Sequence, residues 1–555
     1  MIRRPPTKGT AGKGDLGPPS SLGGGLQVRR KRVAFRQQHS TMRIHPHLLI
    51  LAGALLLTAC RREPGTTPDD LQQDLVLVER AQPLPVPQGP PLDQEALDRA
   101  VIGILEARND FRWDMVDLHT LWSATQYNDH SVSIGYQPAN ATGVDEQLHR
   151  IDIGSAEWRA VHDALLERIL GLLNEGRRDP LDLRDILVED DPVLPILTLR
   201  LTDARVLTML ANLRNVRYVE PLDYWPAVAD RSTSGCSPST AALNAADVST
   251  ISPNARLPWN FNNHGIPTAW NAAQGLGITV GVIDAGLSSA QGYVGAAFND
   301  GESNVGRTFT AAATRGTTAY TSCSHGTAMA GQAVGPRNSG GATTGVAYKS
   351  NLRFVRASED VVLDKSSERT AVKNALLALG ADPAVRVISM SIGTPFSYSV
   401  LSDGVNYAHG QGKLVFAAGG TSFSWTSWWG VIYPAAYSNC VAVTGVKENG
   451  SKCGSCHDGS QIDLTICMER SSNSSRNSLS LAPNGATPTY IGGSSSAAAT
   501  AAGIAALVWS ARPTATRDQV LTCLKSTAQF ATGPSSSKGY GNINAAAAVN
   551  CALAL

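Results

Sequence analysis

The chain has 555 residues, enough at roughly 100 to 200 residues per domain for two to four domains with cores of their own. Apolar residues make up 43%, charged residues 17% and the formal net charge is +1, which excludes global disorder and a polyanion-binding composition, and with it nucleic acid as a partner. Charge is uneven: Arg61 to Gly235 carries 17 basic against 30 acidic residues and Cys236 to Leu555 carries 20 against 15, which fits two units with complementary fields.

The first 41 residues are rich in Arg, Lys, Gly, Pro and Ser without apolar periodicity, and translation is expected to start at Met42. Leu48 to Ala59 is nearly all apolar, but twelve residues rise only about 18 Å as a helix against a bilayer of roughly 30 Å, so the run reads as a signal-peptide core. It ends in Leu57-Thr58-Ala59-Cys60, which resembles the lipobox of bacterial lipoproteins. That resemblance implies a lipid on Cys60, a bilayer as partner and, with Arg61 and Arg62 following the Cys, the outer membrane; simple secretion is the alternative.

The next segment, Arg61 to Pro91, is polar and Pro-rich and reads as a tether. The expected organisation is therefore 1–59 extension and signal, 60–91 lipidated tether, 92–223 a small α+β domain, 224–257 a Ser/Thr/Ala/Asn-rich linker with a processing site, and 258–555 the domain that carries the chemistry. Within 92–223, Glu157 to Leu173 reads as a helix and Leu194 to Leu201 as a strand, and the segment closes with a helix from Leu207 and a strand from Val216 to Val219. Beyond 258, Ile278–Ile283, Leu352–Val355, Val387–Met390 and Leu414–Ala418 read as buried strands. Ser367 to Leu379, apolar at Val372, Ala375, Leu376 and Leu379 and stopped by Gly380, reads as a helix. Such alternation implies an α/β doubly wound, mostly parallel sheet with helices on both faces.

Setting Cys60 aside leaves eight cysteines, an even number in an exported chain, which favours disulfides; Cys523 and Cys551 are placed to staple the tail. Cys453-x-x-Cys456-His457 with Cys467 offers zinc or redox chemistry as a lesser alternative.

Three motifs carry chemistry. Asp284 ends an apolar strand, at the carboxyl edge where parallel sheets place their sites, although a lone Asp there equally makes a turn. His325 opens a helix of small residues in Cys323-Ser-His325-Gly-Thr-Ala. Ser495 follows Gly492-Gly-Ser at the positive end of a helix. In the order Asp, His, Ser within one alternating region, and with Met390-Ser-Ile-Gly393, Tyr433-Pro-Ala-Ala436 and Leu481-Ala-Pro483 beside them, they make residues from about 258 to 549 resemble a subtilisin-family (subtilase) catalytic domain. The family's Gly-Thr-Ser-Met-Ala pattern is Gly493-Ser-Ser495-Ser-Ala497 here; counting back from Ala502-Gly503 selects Ser495, with Ser494 and Ser496 as fallbacks.

The resemblance implies a serine endopeptidase acting on protein or peptide substrates through Asp284, His325 and Ser495, with Ser391-Ile392-Gly393 pairing its backbone to an extended substrate. It also implies an inhibitory propeptide, since the end of the 92–223 segment resembles the closing helix and strand of such domains. No cofactor is expected for catalysis; calcium stabilises some members near the position of Arg337 to Gly341, but no metal ligand is assigned here. One departure stands out. Where the family places an Asn that donates to the tetrahedral oxyanion, this chain has Gly420, and loss of such a donor costs on the order of 10²- to 10³-fold in rate, a figure that comes from subtilisin itself. The Ser495 backbone N–H stays available, and Thr421, Ser422 or a backbone N–H of the turn are the candidate replacements. Without one, a weak subtilase serving as a peptide-binding module is the alternative function.

Overall fold

Several helices in the amino-terminal part begin at Asp residues, whose carboxylates satisfy N–H groups of the first turn. In the computed structural model, which describes residues 75–78, 82–127, 129–227, 235–237, 239, 241–422 and 430–555, Asp93 accepts from Ala96 N to cap α1 (Gln94–Arg108), and Asp117 accepts from Thr120 N to cap α2 (Leu118–Thr125). Then follow β1 (Ser131–Tyr136), α3 (Ala156–Asn174), β2 (Leu187–Asp190), β3 (Ile196–Arg200), α4 (Ala204–Ala211) and β4 (Val216–Pro221). The four strands form an antiparallel sheet in the order β2-β3-β1-β4. Every residue of β1 is buried, so this sheet is covered on both faces.

The second part opens with a hairpin of β5 (Val248–Ile251) and β6 (Ala255–Pro258). In chain order come β7 (Thr279–Asp284), β8 (Phe309–Ala313), α5 (His325–Val334), β9 (Asn351–Arg356), α6 (Ser366–Ala381), β10 (Val385–Met390), α7 (Ser399–Gly410) and β11 (Leu414–Ala418). These are followed by β12 (Val441–Lys447), β13 (Leu464–Arg470), β14 (Asn473–Leu481), β15 (Pro488–Ile491), α8 (Gly493–Ala511), α9 (Arg517–Ser526) and α10 (Ala545–Leu553). A nine-stranded sheet runs β15-β14-β13-β12-β11-β10-β7-β9-β8, parallel from β8 to β13 with β14 and β15 antiparallel at one edge. Ile283 lies opposite Met390, and Met390 opposite Ala417, so the strands around Asp284 end at one level. The apolar helix α8 runs through the core, with Ala497, Ala501, Ile504 and Trp509 fully buried, as a helix hydrophobic on all sides requires. The expected doubly wound architecture and its strands are present, within about two residues at each end.

The two parts share one hydrophobic core, which runs from α1, α3 and β1 into α6 and α7. Phe111 and Trp225 of the first part pack edge-on against Phe396 of the second, with ring centroids 5.6 Å away in each case. Helices α6 and α7 begin at Lys365 and Tyr398, which give no side-chain cap of their own. Carboxylates from the end of the first part take that place. Glu220 accepts from Ser399 N at 2.8 Å and Ser399 Oγ at 2.7 Å, and Asp223 accepts from the Ser366 N–H and, at 2.7 Å, its hydroxyl. Arg217 makes a bidentate pair with Asp403 of α7 at 2.6 and 2.9 Å, and Asp191 pairs with Lys373 of α6. Acidic residues of the first part thus meet helix N-termini and a buried cation of the second.

The structure moves two expected boundaries. The tether is only partly one: Leu84 N donates to Asn212 Oδ1 and Val76 N to Asn215 Oδ1, so residues 75–78 and 82–91 lie on the small domain. The linker is shorter than 224–257. Tyr224 and Trp225 are buried, with the Tyr224 hydroxyl on Asp98, and at the other end Asp247 is enclosed by Arg470, Arg476 and Tyr490 ahead of the β5–β6 hairpin. These partners lie more than a hundred residues away in the chain, so no local pattern announces them. The cysteine count also needs correcting. Cys236–Cys323, Cys453–Cys456 and Cys523–Cys551 are bonded, but Cys440 and Cys467 are free and buried. Burial pushes the Cys467 thiol up to about 12, so it packs as a small apolar side chain. The lipidation site Cys60 lies outside the described residues.

Candidate active site

The carboxyl ends of the parallel strands and the start of α8 enclose a cleft of about 480 Å³, whose wall includes His325, Ser495, Thr421, Ser422 and Gly493. Asp284, the last residue of β7, is fully buried. Its Oδ1 accepts from Ala285 N and from His325 Nδ1, each at 2.8 Å. Asp284 therefore holds the proton on Nδ1 and leaves Nε2 to the cleft. The chain turns away from Asp284 at Gly286, with φ of +136°, where a Cβ would come within 2.5 Å of Thr321 Oγ1. His325 is the first residue of α5 and is itself buried.

Among the three consecutive serines only Ser495 faces the cleft. Ser494 Oγ accepts from Gly420 N at 3.0 Å and lies 3.1 Å from Thr421 Oγ1; Ser496 Oγ accepts from Gln332 Nε2 at 2.7 Å inside the core. In the present arrangement the Ser495 hydroxyl donates to the Ser391 carbonyl at 3.3 Å rather than to His325, the looser geometry usual without substrate. Ser391 Oγ in turn donates to the Ser495 carbonyl at 3.0 Å.

The rest of the expected substrate edge is differently used. Gly393 N donates to Val361 O and Leu363 N donates to Gly393 O, each at 2.9 Å, so both backbone groups of Gly393 are paired within the chain. Ile392 is buried. An extended substrate would pair at Gly393 only after the 361–363 segment moves.

Sequence reasoning missed what stands behind Gly420. His457 N donates to Gly420 O at 2.9 Å, its ring lies against Gly420, and Nδ1 donates to Gly430 O at 2.8 Å. Burial, with the Lys452 charge adding to it, pushes the His457 imidazole down to about 4, so the ring is neutral near pH 7. Ser455 O accepts from Ser422 N at 2.6 Å. The Cys453-x-x-Cys456-His457 segment, disulfide-closed, is thus a buttress for the turn and has no free thiols for zinc. At Gly420, φ is +126° and a Cβ would lie 2.3 Å from His457 Nδ1. Gly420→Asn is accordingly expected to cost about 1–3 kcal/mol of stability and to leave kcat no higher, as thermal unfolding and peptide hydrolysis would report.

Cys236 adds a covalent bond beside the site. It joins Cys323, two residues before His325, and Gly235, Ser237 and Ser239 form part of the cleft wall. Its separation of 87 residues left no signal for the pairing. The 337–341 loop does not fit calcium: Asp300 is bonded to Ser339 N and Oγ, and the Asn338 side chain to Pro336 O, Ala342 O and Ala342 N.

A buried Asp–His pair facing a serine at a helix N-terminus, at the carboxyl edge of a parallel sheet, is the architecture of a serine hydrolase. Residues 275–542 match the subtilase family, peptidase S8. Thermitase of Thermoactinomyces vulgaris is 32% identical over 200 residues, covering 36% of this chain and 65% of its own length. Subtilisin Savinase of Lederbergia lenta is 29% identical, covering 53% of this chain and 98% of its own. An alkaline protease of Alkalihalobacillus alcalophilus is 26% identical, covering 75% of this chain and 96% of its own.

Proposed function

We propose that the protein is an exported serine endopeptidase made as a zymogen, in which Ser495, His325 and Asp284 cleave peptide bonds. The observation that carries it is the Asp284–His325 hydrogen bond of 2.8 Å beside Ser495, alone of its neighbours in facing the cleft. Ser495 Oγ bonds to the peptide carbonyl carbon while His325 Nε2 takes its proton; that proton passes to the amine as the C–N bond breaks, leaving an acyl-enzyme. Water, deprotonated by His325, then releases the acid and restores Ser495. Asp284 stabilises the imidazolium at both stages.

In this reading residues 75 to about 227 are the inhibitory domain. Two observations support it: the domain supplies the caps that α6 and α7 lack, and the alkaline protease match spans more of this chain than the 258–555 part alone contains. Export and a lipid on Cys60 rest on the signal-like run before it, and on disulfides that need an oxidising compartment. An extracellular protease of Xanthomonas campestris, 32% identical over 340 residues, is in keeping with export.

The test compares intact mass and N-terminus of the exported protein with its Ser495→Ala variant, each incubated alone and analysed with and without reductant. Wild type is expected to be cut between Ala227 and Leu257 and the variant to stay joined; equal cutting of both, or of neither, would sink self-processing. The Cys236–Cys323 bond makes the position readable: a cut before Cys236 frees the domain, whereas a cut after it leaves the domain attached until the disulfide is reduced. The binding-module reading, which Gly420 favours, expects peptide binding without labelling by a serine-directed fluorophosphonate.

A further inference from the structure

We propose that Thr421 is a catalytic residue, its hydroxyl donating to the oxyanion together with the Ser495 backbone N–H; this rests on the peptidase reading above. The argument is an inventory of protons around the turn. Gly420 N–H donates to Ser494 Oγ at 3.0 Å, and Ser494 N–H donates to Thr421 Oγ1 at 3.2 Å. The two hydroxyl oxygens are 3.1 Å apart, so a single hydrogen bond joins them. Two hydroxyl protons are present and that bond uses one. Ser494 is 1% exposed and its hydroxyl has no other acceptor among the described residues, so Ser494 is the donor of that bond, its Oγ having accepted from Gly420 and given its proton to Thr421. The Thr421 oxygen has then accepted twice, and its own proton is left without an acceptor among the described residues.

That spare proton stands in the right place. Thr421 forms part of the cleft wall with His325 and Ser495, while Ser494 is 1% exposed. The Thr421 oxygen lies only 2.6 Å from where a Cβ of Gly493 would be, in the turn that presents Ser495 at the start of α8. The tetrahedral oxygen formed on attack by Ser495 supplies the acceptor that the resting site lacks, so the interaction is made in the transition state and not before it. Three other donors near the turn are engaged: Gly420 N–H by Ser494 Oγ, Ser422 N–H by Ser455 O, and one of the two N–H groups of the Asn477 amide by Ser474 O. The arrangement also accounts for how the turn does without the Asn that the His457 ring excludes. In place of an amide on residue 420, a hydroxyl on residue 421 is aimed by the neighbouring serine.

The experiment uses the processed enzyme with Thr421→Val, which keeps the shape and removes the hydroxyl, and Thr421→Ser, which keeps the hydroxyl. Three readouts are taken: kcat and KM on a peptide amide, affinity for a peptide boronic acid whose adduct with serine is tetrahedral, and affinity for an uncleaved peptide. Thr421→Val is expected to lower kcat on the order of 10²-fold with KM within about twofold, to weaken the boronate by a similar factor, and to bind the uncleaved peptide normally. Thr421→Ser should return kcat to within about tenfold of wild type, since the donor is restored. The proposal is overturned if Thr421→Val keeps its kcat, or if both variants lose kcat and uncleaved-peptide binding together, as a merely structural role would give. A wild type that neither turns over nor takes up fluorophosphonate overturns the peptidase reading and this one with it; a labelled, active wild type with an unaffected Val variant overturns this one alone.

Discussion

In the mechanism proposed above, His325→Ala is expected to lower kcat on the order of 10⁶-fold and Asp284→Ala on the order of 10⁴-fold, values that come from subtilisin itself. The asymmetry has a structural cause. In that proposal His325 is the base beside Ser495 in the cleft, whereas Asp284 acts through it, by holding Nδ1–H at 2.8 Å and by compensating the charge His325 acquires. Adding Ser495→Ala to His325→Ala should cost little more, because a nucleophile without its base is already lost. The same contact predicts a stability effect that separates from activity. In His325→Ala the fully buried Asp284 carboxylate keeps only Ala285 N as a partner, and a buried charge short of partners is costly. Asp284→Asn in the His325→Ala background should therefore raise the melting temperature while leaving activity at its floor. Steady-state hydrolysis and thermal unfolding of the single and double variants check both statements. If Asp284→Ala retained activity within tenfold of wild type, the role assigned to the pair would fall.

The strands and the triad candidates were legible because their signals are local. β7, β10 and β11 are apolar runs buried over most of their length, β9 is buried at Leu352, Phe354 and Val355, and Asp284, His325 and Ser495 each sit at the junction where an element meets a turn or a run of small residues. What the sequence did not disclose depends on chain segments far apart. Asp247 is an ordinary residue of a Ser/Ala-rich stretch until Arg470, Arg476 and Tyr490 close on it; burial works against its carboxylate, but their hydrogen bonds hold it below the usual carboxylate range. Gly420 read as the loss of a donor, and only the position of the His457 ring makes clear that no side chain fits there. The Cys453-x-x-Cys456-His457 spacing fits metal, redox and structural roles alike, and only its disulfide and its place behind the Gly420 turn separate them. Glu220 and Asp223 likewise carry no local mark of being the caps of two helices more than 140 residues further on.

In the zymogen proposed above, those caps and the ion pairs beside them lead to the second large effect, on release of the amino-terminal domain. Arg217 and Asp403 are 7% and 2% exposed and meet in a bidentate pair across the seam, with the Tyr218 hydroxyl also donating to Asp403. Arg217→Ala leaves the Asp403 carboxylate buried without its cation, a loss of about 3–5 kcal/mol, so the processed domain should leave on the order of 10²- to 10⁴-fold faster. The lag before peptidase activity appears should shorten accordingly. Replacing both partners by apolar residues, Arg217→Met with Asp403→Leu, should restore much of the lag, because neither charge then has to be buried. Release should also depend on pH. Burial, outweighing the hydrogen bonds from Ser399, pushes the Glu220 carboxyl up to about 7 in the docked state, and burial raises Asp403 in the same direction. Docking then takes up a proton: the contribution of Glu220 is fully present below its free value near 4.5 and is lost as pH rises through about 7. Dissociation of the processed complex, followed by size-exclusion chromatography, should accelerate on the order of tenfold or more between pH 5 and 8. Glu220→Gln, neutral throughout, should flatten that rise. A rate that does not change with pH in the wild type, or a Gln variant with the wild-type profile, would remove Glu220 from the release step and leave the Arg217–Asp403 pair as the determinant of how long the cleft stays blocked.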